Sequence, residues 1–181
     1  LQDDPSAYVR RSVANHLNDI AKDHPDTVAG WVREHRLPSH PKREALLRHA
    51  SRTLVKQGHA PTLQAWGLTP GLQGSASLTL SSARAQVGDT LGLRAVLRST
   101  SAHDQRLVVD YAVHHQRANG STSAKVFKGW KLTLAAGAAV TLDKRHSLRE
   151  VTTRRLYPGR HRVDLQVNGA VVASAAFDLR V

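Results

Sequence analysis

The hydrophobic period of this chain changes once, and that change limits what it can fold into more than any other feature. From Pro5 to about Trp66 the apolar residues recur at helical spacing; past the stretch TPGLQGSAS (residues 69–77) they recur at every second residue. A helical stripe repeats about every 3.6 residues and a half-buried strand every second one, so no single element type can serve both stretches. The fold class is therefore two-part: an all-α segment over residues 1–70, then an all-β segment over 71–181, joined by a run of Gly, Ser, Thr and Pro. At 181 residues the chain is long enough for two small domains with cores of their own.

In the first segment Val9, Val13, Leu17 and Ile20 form an apolar stripe that Ala14 and Ala21 widen. Asp4-Pro5 reads as its start, a side-chain acceptor followed by a residue that lacks an N–H. With that stripe inward, Arg10, Arg11, Asn15, Asn18, Asp19 and Lys22 fall on the flanks and outer face. A stop is expected at His24-Pro25-Asp26, a second helix from Thr27 to about His35, and a third from Lys42 to Gln57 ended by Gly58. Pro61 opens a further short helical piece. Arg11, Val13 and Leu17 are echoed by Arg48, Ala50 and Leu54 at a spacing of 37, a period that fits HEAT-like helix pairs of an α-solenoid. So few repeats cannot cap a solenoid, and the chain contains no methionine, so it is expected to be a processed or truncated piece of a longer protein.

In the second segment seven short strands are expected, around residues 78–80, 91–97, 107–113, 126–134, 140–142, 163–167 and 171–181. Asn168-Gly169, between the last two, is a strong hairpin signal. Seven strands in about a hundred residues suggest an immunoglobulin-like sandwich, with His161 in the place of a corner side chain. The cysteine pair of antibody domains is absent, and the strand topology stays open.

Charge narrows the function. The formal excess is +12, from 26 Lys and Arg against 14 Asp and Glu, and a basic surface concentrates polyanions, of which nucleic acid is the usual one. Arg10, Arg11 and Asn15 on the opening helix, with Arg48 and Arg52 one repeat on, would track a phosphate backbone; a solvated surface tied by neighbouring ion pairs is the competing reading. The β segment carries a belt that includes Lys125, Lys128, Lys131, Lys144, Arg145, Arg154, Arg155 and Arg160. Much of it is expected in or beside loops (ANGSTSAKVFKG, LDKRHS and VTTRRLYPGR), where such folds bind partners. Few aromatics are interleaved, which favours backbone contact with duplex over stacking on single strands. Asp4 has two readings, helix cap or a carboxylate that stabilises developing positive charge.

Other chemistries find no support. Without cysteine there is no disulfide or thiolate, and no zinc-protease, nucleophile-elbow or phosphate-loop motif occurs. His114 and His115 are adjacent, so on a strand they point to opposite faces and cannot chelate together. Zinc-protease, serine-hydrolase and nucleotide-binding readings are thus unsupported. No apolar run approaches a membrane span, and a cytoplasmic monomer is expected.

The segment DDPSAYVRRSVANHLNDIAKDHPD, followed by RHASRTLVKQG, resembles a hallmark of the bacterial DNA alkylation-repair glycosylases built from HEAT-like repeats, most of all the AlkC type. The stretches LVVDYAVHHQRANGSTSAKVFKGWKLTL and KRHSLREVTTRRLYPGRHRVDLQVNG resemble the immunoglobulin-like domain that follows the repeats in part of that family. The resemblance implies a monofunctional DNA glycosylase that releases cationic N3-methylated bases, chiefly 3-methyladenine and 3-methylcytosine, from duplex DNA without a metal or nucleotide cofactor. It implies that Asp4 is a catalytic carboxylate and that Arg10, Arg11 and Asn15 line the DNA groove. It also implies earlier repeats, which would supply a further acidic residue and an aromatic. A non-catalytic DNA-binding or scaffold protein of the same architecture is the alternative, and a protein-binding solenoid with an adhesive sandwich is a third.

Overall fold

A computed structural model describes residues 1–150 and 155–180 and divides the chain into two compact units, Leu1–Pro70 and Gly71–Val181. The first holds α1 (Ala7–Asp23), α2 (Pro25–His35), α3 (Pro41–Ala50), α4 (Arg52–Lys56) and α5 (Ala60–Ala65). Among the described residues no helix is long and apolar enough to cross a membrane.

Three expectations for this unit are corrected. First, α1 begins after Ser6, and Asp4 does not cap it: its Oδ1 accepts the Ser6 N–H at 2.8 Å, closing a turn ahead of the helix. Second, the deepest line of α1 is Ala14, Asn18 and Ala21, with Val13, Leu17 and Ile20 half-buried beside it. Small residues let the neighbouring helices approach closely, and the longer aliphatics then flank the contact. Asn18, expected outside, is thus buried, and its Oδ1 accepts from Thr53 Oγ1 at 2.8 Å and from Thr53 N–H at 3.3 Å.

Third, the single helix expected over residues 42–57 is broken at Ser51. Its hydroxyl donates to the Leu47 carbonyl, one turn back, at 2.8 Å and accepts the indole N–H of Trp66 at 2.9 Å. Back-bonding of this kind bends helices, and here the bend seats Trp66 in the core of the unit. Past it, α4 ends in a Schellman motif: His59 N–H donates to Leu54 O (2.9 Å) and Gly58 N–H to Val55 O (3.1 Å), with Gly58 at φ 71°.

The second unit holds β1 (Gly74–Leu80), β2 (Arg84–Gln86), β3 (Thr90–Ser99), β4 (Gln105–Gln116), β5 (Thr122–Leu134), β6 (Ala139–Ser147), β7 (Gly159–Val167) and β8 (Ala170–Arg180). One sheet has the order β1-β3-β6, the other β2-β8-β7-β4-β5. Their inner faces share two apolar clusters, one around Leu91, Tyr111, Val113 and Phe177, the other around Leu97, Leu107, Val109 and Leu165. This is the two-sheet division of an immunoglobulin-like sandwich. The seven expected strands are present; the added one, β2, is three residues long and pairs in parallel with β8, too short to show a period.

The hairpin at Asn168-Gly169 joins β7 to β8 with both residues at positive φ (47° and 81°). Its asparagine is buried: Oδ1 accepts the Val108 N–H at 2.8 Å and Nδ2 donates to Arg106 O at 3.3 Å. His161 holds the corner, with Nε2 donating to the Tyr157 carbonyl at 3.0 Å. Burial lowers its pKa, partly opposed by that carbonyl, so the ring is neutral.

Glycine suits the φ at residue 168, yet Asn168→Gly is expected to lower the stability of the sandwich by about 1–3 kcal/mol, because it leaves the two β4 backbone groups without their partners. Urea denaturation measures it. Equal or greater stability would mean that the side-chain bonds carry no weight.

Candidate nucleic-acid interface

The helical unit brings some of its cations to one cleft. An open cleft of about 370 Å³ runs between α1 and α3, lined on one side by Ala7, Arg10, Arg11 and Ala14 and on the other by Pro41, Lys42, Ala45, Leu46 and His49. At the His49 end of it, Asn15 Oδ1 lies 2.8 Å from His49 Nε2 and accepts from Arg52 Nη2 at 3.3 Å. Arg52 also donates to the His49 carbonyl through Nη1 at 2.7 Å. Thus α1, α3 and α4 each contribute to one polar knot, with Arg11 exposed beside it and, among the described residues, in no ion pair.

The electrostatics follow. Burial, then Arg52, then Arg11 lower the His49 pKa, so the ring is neutral at neutral pH and the surrounding field is positive. Arg10 serves the local fold as well as the cleft, since its Nη1 donates to Pro5 O at 2.8 Å and to Asp4 O. This fastens the turn carrying Asp4 to the first coil of α1. One oxygen of Asp4 is engaged by Ser6; among the described residues no donor engages the other.

Arg48, which the sequence spacing groups with Arg52, lies apart from this knot. Its guanidinium sits 4.3 Å from the centre of the Trp66 ring, close to Glu44 at 4.0 Å. Arg36 lies over the same ring at 4.6 Å and donates to Ala65 O at 2.6 Å. Arg48 therefore packs a core tryptophan; the helix break at Ser51 separates the two arginines that an unbroken helix would have kept one turn apart.

His49 and Lys42 also line the cleft, though the sequence reading does not single them out. The signal was available: Lys42, Ala45, Leu46 and His49 follow the i, i+3, i+4, i+7 spacing of one helix face. It was hidden because Leu46 marks that face as buried, and the cleft opens along its margin.

In the sandwich the basic belt is spread over several surfaces. The segment LDKRHS, expected as a loop, lies wholly within β6, and Lys125 and Lys128 lie within β5, because alternating apolar residues carry both strands through. Lys125 Nζ stands 5.6 Å from the Phe127 ring and Lys144 Nζ 5.8 Å from the Trp130 ring, so these two flank the side where the sheet edges β5 and β6 approach. Lys128 pairs in register with Asp110 and Arg160 with Asp178, on the outer face of the five-stranded sheet. Arg145 lines an open groove of about 650 Å³ on the three-stranded sheet, next to the Arg94–Asp143 ion pair at 2.8 Å. Arg155 is exposed, 5.9 Å from the Tyr157 ring centre, and Arg154 lies outside the described residues.

The two adjacent histidines do diverge. His114 Nε2 is 2.6 Å from Asp164 on the outer face, and His115 meets the buried His161 edge-on at 5.7 Å. Burial raises the Asp164 pKa, but hydrogen bonds from Ser174 and His114 and the charge of Arg162 outweigh it and leave it lowered. Among the described residues no group of three His, Asp or Glu side chains could hold a metal ion.

If Arg52 faces His49 as described, Arg52→Ala raises the midpoint of the His49 titration measured by NMR. An unmoved midpoint would show that the two groups do not meet.

Comparison with known proteins gives the same architecture. The family described as "Uncharacterised protein YhaZ, C-terminal Ig-like domain" matches residues 74–181. The YhaZ protein of Bacillus subtilis is 32% identical over 99% of this chain and 50% of its own length. The alkylpurine DNA glycosylase AlkC of Pseudomonas fluorescens, solved bound to DNA containing an abasic-site analogue, is 41% identical with a TM-score of 0.93, over 100% of this chain and 50% of that one. The chain thus spans about half the length of the relatives it matches, and along all of it resembles an AlkC-type glycosylase. Since the matched domain takes up more than half of its residues, the chain belongs to the family of the YhaZ C-terminal Ig-like domain.

Proposed function

We propose that this chain is the DNA-holding portion of a glycosylase for alkylated bases, acting on cationic N3-methylated bases such as 3-methyladenine and 3-methylcytosine in duplex DNA. The observation that carries the reading is the likeness, over the whole chain, to a DNA-bound alkylpurine glycosylase. The cationic cleft supports it. Arg11 and Arg52 offer guanidinium forks suited to phosphate oxygens, and Asn15 and His49 add neutral polar groups between them. In the sandwich Lys125, Lys128, Lys144, Arg145, Arg155 and Arg160 are cations that would follow the same polyanion, from several sides of the domain.

The chemistry asked of the protein is modest. Methylation at N3 makes the base cationic and a good leaving group, so the barrier lies in the positive charge that develops on the sugar. A fixed carboxylate lowers that barrier by electrostatic stabilisation. Asp4 is our candidate: its Ser6 contact fixes the group while one oxygen is left for a ligand. Arg10 holds the Asp4 carbonyl, so cleft and carboxylate move together. Neither role calls for a metal or nucleotide.

Asp4→Asn tests this, because asparagine keeps the oxygen that accepts from Ser6 and replaces the other carboxylate oxygen with an uncharged amide nitrogen. The natural polypeptide that contains these residues is expected to release methylated bases from alkylated duplex DNA. The Asn variant should bind that DNA and release bases at least about 100-fold more slowly, the scale of losing one electrostatic stabiliser. Equal release would return Asp4 to a purely structural role. No release by a folded, DNA-binding wild type would favour a non-catalytic clamp.

A further inference from the structure

The knot between α1, α3 and α4 has a proton inventory that its geometry fixes. Arg52 Nη2 has only hydrogens to present, so the Asn15 atom 3.3 Å from it is the carbonyl oxygen. That same oxygen lies 2.8 Å from His49 Nε2, which must therefore carry the proton of the neutral ring. Two things follow. The Asn15 amide hydrogens are left unspent by these partners, and the remaining lone pair of the ring is on Nδ1.

We propose that Arg11, Asn15, His49 and Arg52 form a phosphodiester subsite in which His49 takes up a proton when a DNA phosphate docks. This rests on the DNA reading above. Among the described residues, the charged groups that act on the ring are cations, Arg52 from α4 and Arg11 from α1, and the cleft that His49 lines also carries Arg10 from α1 and Lys42 from α3. No described carboxylate lines the cleft, and Asp19, which Arg52 also faces, is bound to Lys22 at 2.7 Å. In the free protein a proton on His49 would charge a partly buried ring and add a further positive charge to this set; burial first, then Arg52 and Arg11, lower its pKa.

A phosphodiester monoanion between Arg11 and Arg52 offsets part of that positive field. Protonation then gives the ring a second N–H donor and a charge opposite to that of its neighbour. No bond between heavy atoms is made or broken; one proton moves from solvent to Nδ1. A group whose pKa rises on binding takes up protons as the complex forms, and by linkage the affinity rises as pH falls through the interval between the free and bound values. For one proton the limit is about tenfold in affinity per pH unit.

The test is calorimetry of duplex DNA binding at constant ionic strength near pH 6.5, in buffers of different ionisation enthalpy, for wild type and His49→Gln. Glutamine keeps an N–H that can donate to Asn15 and cannot titrate; circular dichroism checks that the variant is folded. Wild type is expected to take up more protons on binding than the variant, and its affinity to rise more steeply than the variant's between pH 7.5 and 5.5. Equal proton uptake by the two would overturn the proposal while leaving DNA binding intact. Failure of the folded wild type to bind duplex at all would overturn the DNA reading and this inference with it.

Discussion

Trp66 is 2% exposed, and its indole N–H has to find an acceptor inside the helical unit. It finds the hydroxyl of Ser51, which is itself fully buried and donates in turn to the Leu47 carbonyl. A buried indole without a partner would cost about 1–3 kcal/mol, so this small chain of hydrogen bonds is a condition of the packing. Its geometric result is the break between α3 and α4. Because α4 leaves Ser51 as a separate helix, Thr53 reaches the buried Asn18 of α1, and Arg52 reaches Asn15 on the same helix. Arg48, left on α3, stacks on Trp66 and helps cover it. The polar knot at the cleft thus depends on a hydrogen bond in the core behind it.

The sandwich makes the opposite use of its polar groups. Asn168, His161, Asp164 and Gln105 are buried and spent on backbone or neighbouring side chains: on the β4 backbone, on the corner at Tyr157, on Ser174 and on the Gln73 backbone. They set strand register and turn geometry. Among its exposed charged residues Lys and Arg outnumber Asp and Glu, so the domain presents positive charge on several faces. The helical unit gathers its charge at one cleft, and the sandwich disperses its own.

Much of this was legible in the sequence, for definite reasons. Period-two alternation marked seven strands, and Asn168-Gly169 marked its hairpin, because a two-residue turn with two positive φ angles admits few residue types. The short β2 was not legible, since three residues of parallel pairing leave no period. In the helices, spacing gave the stripe of α1 but not which side of it lies deepest; that depends on how closely neighbours approach Ala14 and Ala21. The break at Ser51 was hidden because serine is an ordinary helix residue until a buried partner, 15 residues on, claims its hydroxyl. The same break explains why Arg48 and Arg52 read as one row and occupy two environments. The spacing of α3 puts His49 on the Leu46 face, but its contact with Asn15 of α1, which Arg52 of α4 shares, is set by the packing of the three helices.

Whether the cations of the α1–α3 cleft hold a phosphate backbone is tested by the salt dependence of duplex DNA binding by wild type and by an Arg11→Ala/Arg52→Ala variant. The variant is expected to bind more weakly, with a plot of log affinity against log salt that is shallower by about 0.9 for each phosphate it no longer neutralises. A variant with the wild-type slope would contradict that role, and would move the DNA-binding surface away from this cleft.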